Sequence, residues 1–392
     1  MEATQAAPNG NGKRRNALLL VIILFVLGAC AWGAWWWIAG RWSETTDDAY
    51  VGGNVVQVTP QIAGTVVAVR ADDTDFVKAG DELVRLDRAD AKVALEQAEA
   101  QLARAVRQVR AIYATDGQLN ASAAQRETEL ARARQDLLRR EQAMASGAVS
   151  REEIEHARDS IAGAEAALAA ARGQLRANRA LTEGTSVAEH PDVKAAAAKV
   201  HETYIAYART ALPAPVTGYI AKRGVQVGQR VAAGAPLMAV VPLEQVWVDA
   251  NFKESQLAGV RIGQPAAVTA DLYGGRVEYR GKVAGFGAGT GAAFALLPPQ
   301  NATGNWIKVV QRVPVRIALD PQELAAHPLQ IGLSLRVDID THERGGPRLP
   351  QGARAAAAQE TSVFEVQERK AAETIARIIR DNGGERGSKP RS

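Results

Sequence analysis

"IAGTVVAVRADDTDFVKAGDELV" (Ile62–Val84) and "VTGYIAKRGVQVGQRVAAGAPLM" (Val216–Met238) are one half-domain written twice. They align without a gap at an offset of 154: Gly64 falls on Gly218, Val66 on Ile220, Val77 on Val231, Ala79 on Ala233, Gly80 on Gly234 and Leu83 on Leu237. Each copy is a set of short alternating strands with glycines at the corners, too short to bury a core alone. Two such halves can interlock into a single small sandwich, provided that the chain between them leaves and returns at neighbouring points. The nature of the insertion therefore decides the fold.

From Asp87 the apolar period changes from two to three and a half. Leu95, Ala98, Leu102, Ala105, Val109, Ile112, Leu119, Ala123, Leu130, Ala133, Leu137 and Met144 keep one heptad register, with polar residues at Asp116, Arg126 and Arg140. A second register runs through Ile154, Ile161, Ala164, Leu168, Ala171 and Leu175. It breaks over Glu183–His190, ahead of Pro191, and resumes at Val193, Val200, Tyr204 and Tyr207. Sustained heptads predict supercoiled helices, and the abundant alanine lets them approach closely. The outbound arm, Asp87–Ala145, has 59 residues and the return, Ser150–Leu212, has 63. Near-equal arms predict an antiparallel hairpin about 85–90 Å long. Its turn is "ASGAVSREEI" (Ala145–Ile154), where Gly147 is placed to end the first helix in a left-handed conformation. Ser150 caps the second helix, with Glu153 completing a capping box and Val149 and Ile154 forming a hydrophobic staple.

Outside the repeats, Ala17–Ala39 is an uncharged apolar run of 23 residues. A helix of that length spans roughly 34 Å, enough for a hydrocarbon core of about 30 Å. Lys13, Arg14 and Arg15 precede it and predict a cytoplasmic N-terminus, while Trp35, Trp36, Trp37 and Trp42 sit where the opposite interfacial belt belongs. After Pro242, "VWVDANF", "AAVTADL", "RVEYRGKVAGF", "WIKVVQRVPVRIAL" and "LSLRVDIDT" predict a small barrel of five or six strands, completed by the segment just before Pro60. Beyond Thr341 the chain is rich in Gly, Pro and Arg, with an amphipathic helix expected over Glu368–Asn382.

Chemistry is scarce. The net charge is +4 and basic residues alternate with acidic ones, which argues against nucleic acid. Cys30 is the only cysteine, and the five histidines show no paired-ligand spacing. "GAGTGA" (Gly287–Ala292) matches a dinucleotide pattern, but Pro298 and Pro299 forbid the helix it requires. The paired half-repeats resemble biotinyl and lipoyl carrier domains, whose modified lysine occupies the turn between halves. Here that turn, after "LVRLD" (Leu83–Asp87), is where the hairpin leaves, and Lys92 belongs to the helical register. No catalytic residue, cofactor or metal is expected.

The order of parts resembles the HlyD-like membrane fusion proteins, or periplasmic adaptors, and among them the EmrA-type multidrug adaptors. The resemblance rests on "TDDAYV" (Thr46–Val51), "DFVKAGD" (Asp75–Asp81), "PLMAVVP" (Pro236–Pro242), "WVDANFKE" (Trp247–Glu254) and, above all, "GTGAAFALLPPQNATGNWIKVVQRVPVRI" (Gly289–Ile317). It implies a multidomain α+β fold: a transmembrane helix, a lipoyl-like barrel-sandwich hybrid split by a long antiparallel coiled-coil hairpin, then a small β-barrel. The expected division is a cytoplasmic segment 1–16, an anchor 17–39 in the bilayer, and a linker and barrel strand 40–60. Sandwich halves then occupy 61–86 and 213–242 around a hairpin at 87–212 with its tip near 145–151. A barrel at 243–343 and a flexible tail at 344–392 follow.

The resemblance further implies a homo-oligomeric adaptor in the bacterial inner membrane with most of its chain in the periplasm. Its partners would be a proton-driven major facilitator transporter and a TolC-like outer-membrane channel. Adaptors for ATP-driven type I secretion share the architecture, and a non-transport envelope tether is a third reading. Family adaptors place an Arg, a Leu four residues later and a Ser seven beyond that at the channel-facing tip. The positions here are Arg139, Ala143 and Ser150, with leucine replaced by alanine and Met144 adjacent. In the barrel loop Pro298–Trp306, Asn301 and Trp306 would face the transporter or a neighbouring subunit, or Trp306 would seal the barrel core.

Overall fold

The computed structural model describes residues 11–38, 42–145, 147–291, 293–294, 310–349 and 360–384. Helix α1 (Asn11–Ile38) carries the apolar run and is long and apolar enough to cross a membrane. The chain then forms β1 (Ser43–Gly52), β2 (Val56–Val58), β3 (Gly64–Val69), β4 (Phe76–Val77) and β5 (Glu82–Leu86) before the helices α2 (Ala89–Met144), α3 (Arg151–Thr182) and α4 (Pro191–Ala208). Strands β6 (Ala211–Pro213), β7 (Gly218–Arg223), β8 (Arg230–Val231) and β9 (Met238–Val241) return to the first β-region. The remainder is β10 (Trp247–Lys253), β11 (Pro265–Ala270), β12 (Glu278–Phe286), β13 (Arg312–Leu319), α5 (Pro321–Ala326), β14 (Ser334–Asp340) and α6 (Glu365–Gly383).

The two half-domains are intertwined. One sheet has the order β2-β9-β7-β4 and the other β6-β5-β3-β8, so each draws two strands from either half. The offset of 154 recurs in the hydrogen bonds. Thr74 N–H donates to Ile220 O at 2.9 Å and its counterpart Gly228 N–H donates to Val66 O at 2.8 Å. Gly80 N–H reaches Ala214 O, and Gly234 N–H reaches Pro60 O, both at 2.9 and 2.8 Å respectively. Gly64 lies opposite Val231 and Gly218 opposite Val77. The core obeys the same symmetry, with Val66, Val77, Leu83 and Leu86 buried against Ile220, Val231, Leu237 and Val240. Glycine is required at Gly218, where a Cβ would stand 2.4 Å from the Val241 carbonyl oxygen.

Strand β2 pairs with β9 and thus belongs to the sandwich, not to a linker ending at residue 60. The segment that completes the barrel is β1, further upstream, because its long alternating run reaches both β10 and β14. The barrel closes in the order β1-β10-β13-β12-β11-β14. Phe252, Tyr279, Ile317, Leu335 and Ile339 fill its interior, so it is a packed body and not a pore.

Between the halves, α2 runs 56 residues, about 84 Å by helical rise, and packs antiparallel on α3 and α4. The return arm is two helices because Gly184 adopts φ +75° and Pro191 opens α4. Tyr113 of α2 spans this break: its hydroxyl lies 3.2 Å from Thr182 O and 2.5 Å from Thr185 O. His190 caps α4 by accepting from Asp192 N–H at 3.3 Å, while its other ring nitrogen lies 3.1 Å from Leu181 O. The heptad reading misses one detail at the root of this stalk, where Val106, not Ala105, is fully buried. Val106 belongs to a core that α6 joins. This helix, expected within a flexible tail, lies instead against α2 and α4 and adds a third surface to the bundle.

Candidate functional site

No described residues gather into a group that could hold a metal: three or more of His, Cys, Asp and Glu are nowhere clustered among them. The candidate residues belong to two places, the stalk tip and the connection from β12 to β13.

The tip is built by backbone conformation. Gly147 takes φ +75°, its N–H donates to Met144 O at 3.0 Å, and Ala148 N–H donates to Ala143 O at 3.2 Å, which closes α2. Ser150 then starts α3 with a complete capping box. Its Oγ accepts from Glu153 N–H at 3.2 Å and its own N–H donates to Glu153 Oε2 at 2.8 Å. The Ser150 N–H first, and then the Ser150 hydroxyl, which donates to Glu153 Oε2 at 3.1 Å, hold the Glu153 carboxyl below its ordinary range.

Arg139 and Ala143 sit in the last two turns of α2, and Ser150 stands across the turn from them. Arg139 is exposed and ion-pairs with Asp136 at 3.3 Å. Asp136 also holds Arg140 at 2.8 Å, and hydrogen bonds from Arg140 and then Arg139 lower its pKa. None of the three lines the groove at the tip. That groove, of about 290 Å³, is formed by Glu141, Met144, Arg151, Ile154, Glu155 and Arg158. Met144 is 42% exposed there between charges of both signs. Sequence reasoning did not single out Arg151 and Arg158. The capping box is the signal that would have found them, since it fixes which side chains flank the turn.

The second place is reached through strand register. Ser43, next after α1, pairs with Asp340, and Gly52 at the other end of β1 pairs with Trp247. Strand β10 runs back from Trp247 to Lys253, Lys253 lies opposite Arg312, and Phe286 opposite Val315. The connection from β12 to β13 therefore opens on the barrel end attached to α1. Asn301 and Trp306 belong to this connection and lie outside the described residues. Its root is braced by residues that share no sequence proximity. Arg312 pairs with Asp48 at 2.8 Å, and Asn251 Nδ2 donates to the same carboxylate at 3.3 Å. Towards the opposite end of the same strands, the Arg316 guanidinium lies 4.0 Å from the Trp247 ring, whose Nε1 donates to Asp249 at 2.8 Å. Trp42 stacks on His342 at 5.2 Å, while the side chains of Trp35 and Trp36 are outside the described residues.

A membrane-length helix, an intertwined split sandwich, a rod-like insertion and a filled barrel together make an adaptor architecture. A profile described as the EMRA alpha-helical hairpin domain matches residues 89–210. The chain is 51% identical over 340 residues to the "Fatty acid resistance protein FarA" of Neisseria gonorrhoeae, covering 86% of each chain. It is 45% identical over 374 residues to the "Multidrug export protein EmrA" of Escherichia coli K12, covering 95% of this chain and 96% of the relative. A solved "periplasmic adaptor protein EmrA" overlays 76% of this chain and 99% of its own, at 19% identity and a TM-score of 0.39. On the sequence relatives, the chain belongs to the EmrA-type membrane fusion proteins, a family of adaptors and not of enzymes.

Proposed function

We propose that this chain is the periplasmic adaptor of a tripartite efflux pump. It links a proton-driven major facilitator transporter in the inner membrane to a TolC-like outer-membrane channel, with α1 as the anchor, its N-terminus in the cytoplasm and the bulk of the chain in the periplasm. The observation that carries this reading is 45% identity across nearly the whole chain to a protein named for multidrug export. The packed barrel supports a companion inference: cargo passes between or beside protomers of a homo-oligomer, since among the described residues the barrel interior is filled by side chains. Under this reading Arg139, Ala143 and Ser150 contact the channel, and Asn301 and Trp306 contact the transporter or a neighbouring subunit.

The test is purification of the membrane complex through a tag on this chain, with identification of its companions. A major facilitator carrier is expected. An ATP-driven permease in its place would move the chain to protein secretion, and no transporter at all would favour a tether. Arg139→Glu should lower drug resistance of cells several-fold while leaving the amount of membrane-inserted chain unchanged. Wild-type resistance in that variant would remove Arg139 from the docking surface.

A further inference from the structure

The stalk joins the sandwich through two single-chain crossings, at Asp87–Arg88 and Arg209–Thr210. Another pair, through residues 53–55 and 242–246, joins the sandwich to the barrel. Joints of this kind hinge readily unless something else spans them. The segment Glu360–Gly384 spans both regions. Its first residues, Glu360–Val363, face Pro215–Thr217 of the sandwich and Pro242, Glu244 and Gln245 of the barrel link across a cleft of about 440 Å³. Phe364 and Gln367 next face Val58 of β2, Leu212 and Pro213 of β6, and Arg209 across a cavity of about 270 Å³. Strands β2 and β6 each form one edge of a sheet, so this cavity lies at one seam between the two sheets.

Beyond Phe364, α6 enters the stalk root. Ala371 is fully buried, and Ile375, Ile378 and Ile379 join the cluster of Leu102, Val106, Val109, Val193 and Val200. Its outer face is charged, with Glu368, Arg369, Lys370, Arg377 and Arg380 exposed. Arg107 of α2 donates to Asn382 Oδ1 at 2.7 Å. Gly384 ends the segment at φ +88°, where a Cβ would stand 2.6 Å from the Arg110 guanidinium carbon.

We propose that Glu360–Gly384 is an intramolecular brace: the groove between α2 and α4 is a helix-docking surface whose occupant is the chain's own α6, and this contact sets the direction in which the stalk leaves the sandwich. The leverage is large. A tilt of ten degrees at the root would displace the end of an 84 Å rod by about 15 Å, more than the width of a helix. The proposal does not depend on the efflux reading.

The experiment uses the full chain in lipid nanodiscs, with Cys30→Ser and spin labels at Lys222→Cys on the sandwich and Arg132→Cys on the stalk. It compares this protein with Ile375→Asp/Ile379→Asp and with a chain truncated after residue 359. The label–label distance distribution should broaden at least two-fold in both variants. Hydrogen exchange of residues 95–113 should rise at least ten-fold, with residues 137–156 unchanged and the sandwich still protected. An unchanged distribution in variants that keep the sandwich protected overturns the brace, as does unprotected exchange of α6 in the parent chain. The double substitution keeps the test informative should truncation impair folding.

Discussion

Three helices meet at the root of the stalk and two at its tip, and the two ends are stabilised by different physics. At the root Leu102, Val106, Val193 and Val200 are wholly buried and Val109 nearly so. Further out, Ala123, Leu130, Leu168, Ala171 and Leu175 keep 6–9% of their surface exposed. The distal seam is flanked by ion pairs that cross between helices, Arg134–Glu165 at 2.6 Å and Arg172–Glu127 at 3.0 Å. A pair of helices shields a single apolar stripe on each; a third helix widens the stripe and excludes water from it. The root is thereby a small hydrophobic core, whereas the tip relies on caps and backbone closure.

The largest consequence is at Leu102. Leu102→Ala should cost about 2–5 kcal/mol of local stability, and Leu130→Ala no more than about half as much, because a more open site collapses or hydrates more easily. Opening free energies of α2 amides from hydrogen exchange measure both, and equal costs would mean that α6 adds nothing to the root. Ser150→Ala should cost about 1 kcal/mol, confined to the first turns of α3; spread of that loss down to α4 would contradict the independence of the two ends. Arg134→Gln should cost only about 0.2–1 kcal/mol, since the pair is exposed, and raised salt should mimic it.

The smallest effects are in pH, and they fall at opposite extremes. Glu153 has a folded-state pKa below its ordinary 4.5. The stabilisation from its capping box is complete above that value and fades as pH falls through the lowered one. Tyr204, at the root, is raised above its ordinary 10.0 by burial first and then by Tyr207, Glu373 and Glu99. Its contribution is complete below pH 10 and is lost as pH rises through the raised value. Acid should therefore fray the tip before the root, and alkali the root before the tip, in exchange profiles taken across the two ranges. The barrel should follow the root in alkali, since burial pushes Tyr279 up to about 12.

Much of this was legible in the chain because the deciding interactions are local or repeated. The doubled half-domain announces itself through glycines and valines at one fixed offset, and the structure pairs those very residues. Gly147, Ser150 and Glu153 specify the turn because a left-handed glycine and a capping box need only neighbours within four residues. The docking assignments were less legible. Ser150 serves as a cap whatever it touches, and the groove beside it is assembled from Met144 and Ile154 on separate helices.

Sequence alone thus settled the main elements, their order and the doubling of the sandwich, since periodicity and caps are written along the chain. Packing in space settled the rest. That β2 serves the sandwich and β1 the barrel depended on which edges remained unpaired once both bodies formed. Val106 joins a core that also holds the isoleucines of α6, a helix more than 250 residues away in sequence, and no pattern within α2 could encode its arrival.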